Sequence, residues 1–143
     1  MSSHWPQLGV GAVVCHNQAI LLVQRAQPPG EGLWAIPGGR VRAGEAMRAA
    51  AEREILEETG LTIRAGELAW QFEYIEHDES GQLRFHYVIL DFFAEYLAGT
   101  PRAGDDAQEA RWVALDELGQ LRLHSETARL LHTLYPCQYP HRA

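Results

Sequence analysis

The chain has 143 residues, of which 46% are hydrophobic and 22% charged, a balance typical of a globular protein with a buried core. The net charge is −7, which argues against stable binding to a nucleic-acid backbone, since such binding needs clustered positive charge. No segment approaches the roughly 18 uninterrupted apolar residues of a membrane helix, and residues 1–7 lack a secretory signal pattern. We therefore expect one domain over residues 1–143, without a membrane partner, in the cytoplasm, with Cys15 and Cys137 as reduced thiols.

The first residues predict two neighbouring strands. Residues 8–15 read as a strand with Gly9 and Gly11 on one face, where the missing side chains leave room for a ligand or another backbone. Residues 19–24 read as a second strand that is apolar on both faces, as expected for a strand between two layers.

A loop and a helix follow. Prolines and glycines predict a loop over residues 27–32 and a tight turn over residues 37–39. Residues 44–59 are rich in good helix formers, and they predict a helix. Gly60 follows at the position where a left-handed C-terminal cap is expected.

The second half of the chain predicts three strands and a helix. Residues 70–74 and 83–97 read as strands on either side of a turn over residues 78–81, and residues 111–115 read as a short final strand. Ser125 is a suitable N-cap for a last helix. Strands and helices in this order predict an α/β fold with a mixed sheet and a helix on each side.

Three glutamates of the central helix are spaced to share one face. Glu54, Glu57 and Glu58 stand at i, i+3 and i+4, so at 3.6 residues per turn their carboxylates project together. One turn earlier on that face are Ala50 and Ala51, which offer no positive charge. Clustered hard oxygen ligands suit Mg²⁺ or Mn²⁺, although a solvated helix face would also explain the spacing.

A longer motif surrounds these glutamates. Gly39 is followed after five residues by Glu45 and after seven more by residues 53–61, which read Arg-Glu-Ile-Leu-Glu-Glu-Thr-Gly-Leu. Such agreement has a chance probability on the order of 10⁻⁸ or less at a given position, from average residue frequencies. The pattern resembles the Nudix box, and residues 10–118 as a whole resemble the Nudix hydrolase superfamily.

This resemblance implies the fold and the cofactor. The Nudix fold is an α/β/α sandwich with a mixed central sheet and a loop–helix–loop catalytic box. In the family, the box carboxylates hold divalent ions, which implies Glu54, Glu57 and Glu58 as Mg²⁺ (or Mn²⁺) ligands and catalytic residues here. The carbonyl before the box often completes the shell, which implies Gly38. Ions bound there would activate water and neutralise a diphosphate.

Other box residues are expected to have structural roles. Glu45 and Arg53 could pair and fix the start of the helix, whereas Gly39 and Gly60 have backbone roles. The general base is either a box glutamate or an acid of the late loop 104–109, so Asp106 and Glu109 are further catalytic candidates, with exposed loop acids as the alternative. Four basic side chains are candidate substrate contacts, although each could instead be an ordinary surface or core residue: Arg25, Arg40, Arg84 and His86.

The substrate is expected to be a small nucleotide. Residues 105–112 and 115–118 resemble the small bacterial ADP-ribose pyrophosphatase branch, which implies hydrolysis of a diphosphate linkage, such as ADP-ribose to AMP and ribose 5-phosphate. A MutT-like (deoxy)nucleoside triphosphate pyrophosphohydrolase that releases pyrophosphate is the alternative. A non-catalytic nucleotide sensor is disfavoured, because all box carboxylates are present. A homodimer is possible, since dimers are frequent in the branch.

Overall fold

Seven strands and two α-helices make up the fold over residues 5–104 and 106–136, which are the residues that the computed structural model describes. The elements are β1 Gln7–His16, β2 Ala19–Arg25, β3 Trp34–Ala35, β4 Gly38–Arg40, α1 Met47–Thr59, β5 Thr62–His77, β6 Leu83–Ala98, β7 Ala107–Ala114, a 3₁₀ helix Leu115–Gln120 and α2 Ser125–Leu134. Neither α-helix in this part of the chain is long and apolar enough to span a membrane. Cys15 is a free thiol, whereas Cys137 and Asp105 lie outside the described residues.

β1 lies at the centre of a mixed sheet. The strand order is β3-β2-β1-β6-β5, with β4 paired to β1 and β7 paired to β2. β1 runs parallel to β6 from Gln7↔Tyr87 to Val14↔Ala94, while the other pairings are antiparallel. The mixed sheet predicted from the sequence is confirmed. Because β1 pairs with both β4 and β6, the start of the box lies close to β6.

The two helices cover opposite faces of β1 and β2. On one face, α1 packs Ala50, Ala51 and Ile55 against even-numbered residues of β1. On the other face, α2 packs Leu130 and Leu131 against a second cluster that contains Val13, Ile20 and Leu22. The small side chains of Ala50 and Ala51 are fully buried in this contact, so α1 lies close to the sheet. The predicted α/β/α sandwich is therefore confirmed.

Several predicted boundaries are wrong. Strand β5 begins at Thr62 and not near residue 70, and β7 begins at Ala107 and not at residue 111. α1 begins at Met47 and not near residue 44, because Gly44 has φ 80° and the Glu45 N–H donates to the carbonyl of Arg42. Residues 38–40 form strand β4 against β1 and not a tight turn. The N-cap of α2 is His124 and not Ser125, because the imidazole of His124 accepts the N–H of Glu126 at 3.3 Å.

Gly60 ends α1 in the predicted left-handed conformation, with φ 79° and its N–H donated to the carbonyl of Leu56. Gly60→Ala should lower the free energy of unfolding by about 1–2 kcal/mol, because a residue with a Cβ is strained at positive φ. Denaturant unfolding would measure the change. Gly66→Ala is the matched control, since the new Cβ would meet only ordinary contact there. Equal effects of the two changes would contradict this account of the cap.

Candidate catalytic site

A cavity of about 480 Å³ opens on the β1–β6 face of the sheet. Residues of β1, β4, α1, β6 and the loop before α2 line it together. Its acidic lining residues are Glu54, Glu58, Asp91 and Asp106, and its arginines are Arg25 and Arg40. A cavity of this size, mixed lining and depth is typical of a small-molecule site.

Glycines bring the backbone close to the acidic side chains of the cavity. A Cβ at Gly39 would collide with the carboxylate of Glu54, and a Cβ at Gly11 would collide with that of Asp91. A Cβ at Gly38 would collide with the carbonyl of Val10 on the neighbouring strand. The close approach predicted for the glycine face of β1 is therefore what the structure shows, and it forms one wall of the site.

Glu58 is the most buried carboxylate of the box. One of its oxygens, Oε2, accepts the backbone N–H of Gly38 at 3.2 Å. Burial raises the pKa of Glu58 to about 7, and the negative charges of Glu54 and Asp106 add to the rise, while the hydrogen bond from Gly38 opposes it. These two acids belong to different elements: Glu54 is on α1, like Glu58, and Asp106 precedes β7.

Arg53 is the centre of an ion-pair network beneath this cluster. Its guanidinium contacts both oxygens of Glu45 at 2.7 and 2.9 Å and Oε1 of Glu54 at 2.7 Å. It also donates to Glu57 at 3.1 Å and to the carbonyl of Arg40 at 2.9 Å. Hydrogen bonds from Arg53 and from the Arg42 backbone hold the pKa of Glu45 at about 2. The predicted Glu45–Arg53 pair is confirmed, and it fixes the loop to the helix.

Glu57 lies apart from the other two box carboxylates. It does not line the cavity, and its 52% exposed side chain contacts Arg53 and, at 3.9 Å, Arg42. Glu57 and Glu58 lie on opposite sides of Glu54, about 100° apart around the helix. Over residues 5–104 and 106–136, no three His, Cys, Asp or Glu side chains form a preformed metal cluster. Glu54, Glu58 and Asp106 nevertheless line the same cavity, whereas Glu57 lies outside its lining.

Two of the four predicted substrate contacts line the cavity and two do not. Arg25 lines it and is held by a 2.6 Å hydrogen bond from its Nε to the carbonyl of Pro29, and Arg40 also lines it. Arg84 and His86 do not line it and instead pair with acids of β5, so their contact with a substrate stays a prediction. The reason is the alternation of β6, whose odd-numbered residues from Tyr87 to Asp91 face the cavity.

Glu109 is also outside the cavity. It lies within β7 opposite Gln24, and its carboxylate is 3.5 Å from Arg111. β7 begins at Ala107, so Glu109 belongs to the strand and not to the loop, and its catalytic role stays a prediction that the cavity does not support. Asp106 precedes the strand, so it remains in the loop and faces Glu58.

The sequence missed three cavity residues. Asp91, His124 and Thr127 all line the cavity, and none belongs to the box. The only signal for Asp91 was a single acid inside the apolar run 88–93. Phe72 and Tyr74 of β5 line the cavity as well.

The donor set fits a divalent cation. Glu54, Glu58 and Asp106 are carboxylates that line the same cavity, and the pKa of Glu58 is raised first by burial and then by the negative charges of the other two. A bound divalent ion would relieve this repulsion, and carboxylate oxygens are the ligands that Mg²⁺ and Mn²⁺ prefer.

The fold and the site together define a class of α/β/α sandwich domains in which a helix-borne acidic cluster faces a glycine-lined cavity. The chain belongs to the NUDIX domain family, whose model matches residues 5–134.

Relatives with assigned names agree with this membership. An ADP-ribose pyrophosphatase of Methanocaldococcus jannaschii is 34% identical over 94 residues, covering 66% of this chain and 53% of its own length. A putative 8-oxo-dGTP diphosphatase 2 of Mycobacterium tuberculosis is 43% identical over 58 residues, or 40% and 41% of the two chains. The chain thus spans about half the length, or less, of these curated relatives.

A solved structure covers more of the fold. The crystal structure of a MutT NUDIX hydrolase from Burkholderia pseudomallei superposes with a TM-score of 0.76 and 31% identity, covering 90% of this chain and 98% of that one.

Arg53→Lys should lower the melting temperature by several degrees, roughly 3–8 °C, because a lysine cannot reproduce the forked contacts to Glu45 and Glu54. Thermal unfolding followed by circular dichroism would measure this. Arg64→Lys is the matched control, since Arg64 is 67% exposed and lies 3.8 Å from its partner Glu95. A melting temperature that is equally insensitive to both changes would contradict the role of Arg53.

Proposed function

We propose that the protein is a divalent-metal-dependent hydrolase of a diphosphate linkage in a nucleoside diphosphate derivative. The observation that carries this proposal is the grouping of Glu54, Glu58 and Asp106 on the wall of a cavity that also contains Arg25 and Arg40. Carboxylates for a cation and arginines for phosphate oxygens are the two features that hydrolysis of a phosphoanhydride needs. Membership of the NUDIX domain family supports the same chemistry.

Residues of the box would hold the ion. The candidate ligands are Glu54, Glu58 and the carbonyl of Gly38. Glu57 would also bind the ion if its side chain left its contacts with Arg53 and Arg42. The bound Mg²⁺ (or Mn²⁺) would supply charge neutralisation and a more acidic water.

The chain's own residues bind and orient the substrate. Arg25 and Arg40 pair with phosphate oxygens, and Arg25 is already oriented by its bond to Pro29. Glu58 or Asp106, which both line the cavity, would accept a proton from the attacking water, and Glu109 is disfavoured because it does not line the cavity.

We favour ADP-ribose as the substrate, with AMP and ribose 5-phosphate as products. The similarity to a relative named ADP-ribose pyrophosphatase supports this choice, and so do the late-loop residues 105–112. Phe72, Tyr74 and Tyr87 line the cavity, and aromatic side chains of this kind can stack on a base.

Hydrolysis of (deoxy)nucleoside triphosphates with release of pyrophosphate is the second candidate, since another relative is named a putative 8-oxo-dGTP diphosphatase. A binding-only sensor is disfavoured, because the box keeps all of its carboxylates. A homodimer and a location in the cytoplasm remain predictions from the sequence.

A hydrolysis panel tests the substrate. With Mg²⁺ present, ADP-ribose should be cleaved faster than other nucleotide sugars, dinucleotides and (deoxy)nucleoside triphosphates, and chelation of the metal should abolish the reaction. Product analysis by chromatography identifies the attacked phosphorus. Much faster cleavage of triphosphates would favour the second candidate, and no metal-dependent cleavage of any nucleotide would refute the hydrolase proposal.

Neutral variants of the box test the site. Glu54→Gln and Glu58→Gln should each lower kcat at least about 100-fold, because both remove charge where the transition state needs it. Steady-state kinetics on the best substrate would measure the loss, with circular dichroism to verify folding. Glu67→Gln is the control, since Glu67 is an exposed glutamate of β5 outside the cavity. Retention of full activity by both box variants would argue against this site.

A further inference from the structure

Asp91 is a buried acid at the floor of the cavity and outside the box. Its side chain is on the central part of β6, and only 6% of the residue is exposed. Across the sheet it pairs in register with Gly11 of β1 and with Trp70 of β5. Because a Cβ at Gly11 would collide with Oδ1 of Asp91, the carboxyl group occupies the space that this glycine leaves. The side chain of Asp91 therefore lines the cavity next to Gly11, which has no side chain to cover it.

The carboxyl group of Asp91 has no hydrogen-bond donor within residues 5–104 and 106–136. Burial raises its pKa to about 7, and the negative charge of Glu126 on α2 adds to the rise. Two further polar atoms around it are buried without a partner in the same described residues, namely Nε1 of Trp70 and Oε1 of Glu126. Buried polar groups are nearly always paired, so this arrangement is unfavourable for the fold alone.

The surroundings of Asp91 fit a flat, neutral group. Ile36 and Ile89 are apolar lining residues, and Phe72 adds an aromatic ring. A diphosphate has no hydrogen-bond donor for a carboxylate and would be repelled by it, so the phosphates belong with Arg25 and Arg40. A planar heterocycle can enter between the apolar side chains and present its edge to the acid.

We propose that Asp91 is a specificity-determining residue that selects the N–H-bearing edge of a nucleobase at the floor of the cavity. The inference rests on the proposed function, because it takes a nucleotide as the ligand. A carboxyl group accepts a hydrogen bond from a ring or exocyclic N–H and, when protonated, donates one to the adjacent ring nitrogen or carbonyl. Bases that present such a donor–acceptor pair are selected, and bases without it leave the acid unpaired.

The first test is kinetic, on nucleotides that share one sugar-phosphate part and differ only in the base: adenine, guanine or hypoxanthine. Asp91→Ala should raise KM for the best base about 10–100-fold, which corresponds to the loss of a buried hydrogen bond to a charged or acidic group, while kcat changes little. Asp91→Asn should change the order of preference among the bases, because its amide fixes the donor and the acceptor. Asp116→Asn, an exposed carboxylate of the 3₁₀ helix, is the matched control.

The second test separates selection from a structural role and needs no turnover. At pH 8 without ligand, Asp91→Asn should melt a few degrees higher than the wild type, about 2–4 °C, because it removes a buried charge. Since the folded-state pKa of Asp91 is raised above its unfolded value, its ionisation costs the fold most above about pH 7, and this cost shrinks as the pH falls from there towards the unfolded value. The difference between the two proteins should therefore shrink towards pH 5.

The outcomes distinguish the two proposals. If the wild type cleaves no nucleotide, the hydrolase proposal fails, and the base dependence of nucleotide-induced melting shifts in the wild type and Asp91→Ala still decides the role of Asp91. Unchanged base preference in both variants would overturn the inference. A lower melting temperature of Asp91→Asn at pH 8 would overturn it as well.

Discussion

The contact of one arginine with three glutamates organises the site. Arg53 binds Glu45 before the helix, Glu54 within it and the carbonyl of Arg40 on β4, so it joins the loop, the helix and the sheet at one point. The pairing neutralises part of the negative charge of a box that would otherwise be dominated by repulsion. Arg53 binds Oε1 of Glu54. The other oxygen, Oε2, lies next to Gly39, where a Cβ would collide with it.

The two cavity carboxylates of the box differ because their partners differ. Glu54 has a guanidinium partner at 2.7 Å, whereas Glu58 has only the N–H of Gly38 and is more deeply buried. This difference makes Glu58 sensitive to any positive charge that enters the cavity. A cation would stabilise the cluster, since the negative charges of Glu54 and Asp106 act on Glu58 and the positive charge of Arg25 opposes them only in part.

Much of this arrangement could be predicted from the sequence, and the remainder depends on long-range contacts. Helical spacing placed Glu54 and Glu58 on one face, and the position of Gly60 predicted the cap, because both are local properties of the chain. The same spacing could not show that Glu57 contacts Arg53 and lies outside the lining of the cavity. Nor could it show that Asp106, nearly fifty residues later, faces Glu58, since that contact depends on the pairing of β7 with β2.

The role of Asp91 also could not be predicted from the sequence, because it too depends on a long-range contact. In an apolar strand, a single acid predicts either an exposed position or a functional one, and periodicity alone does not distinguish them. The parallel pairing of β6 with β1 distinguishes the two, because it places Gly11 beside Asp91 and both residues line the cavity. A core that leaves Asp91, Trp70 and Glu126 with unpaired polar atoms is less stable than an apolar one would be. Such a loss of stability is expected where unpaired polar groups are kept for a ligand.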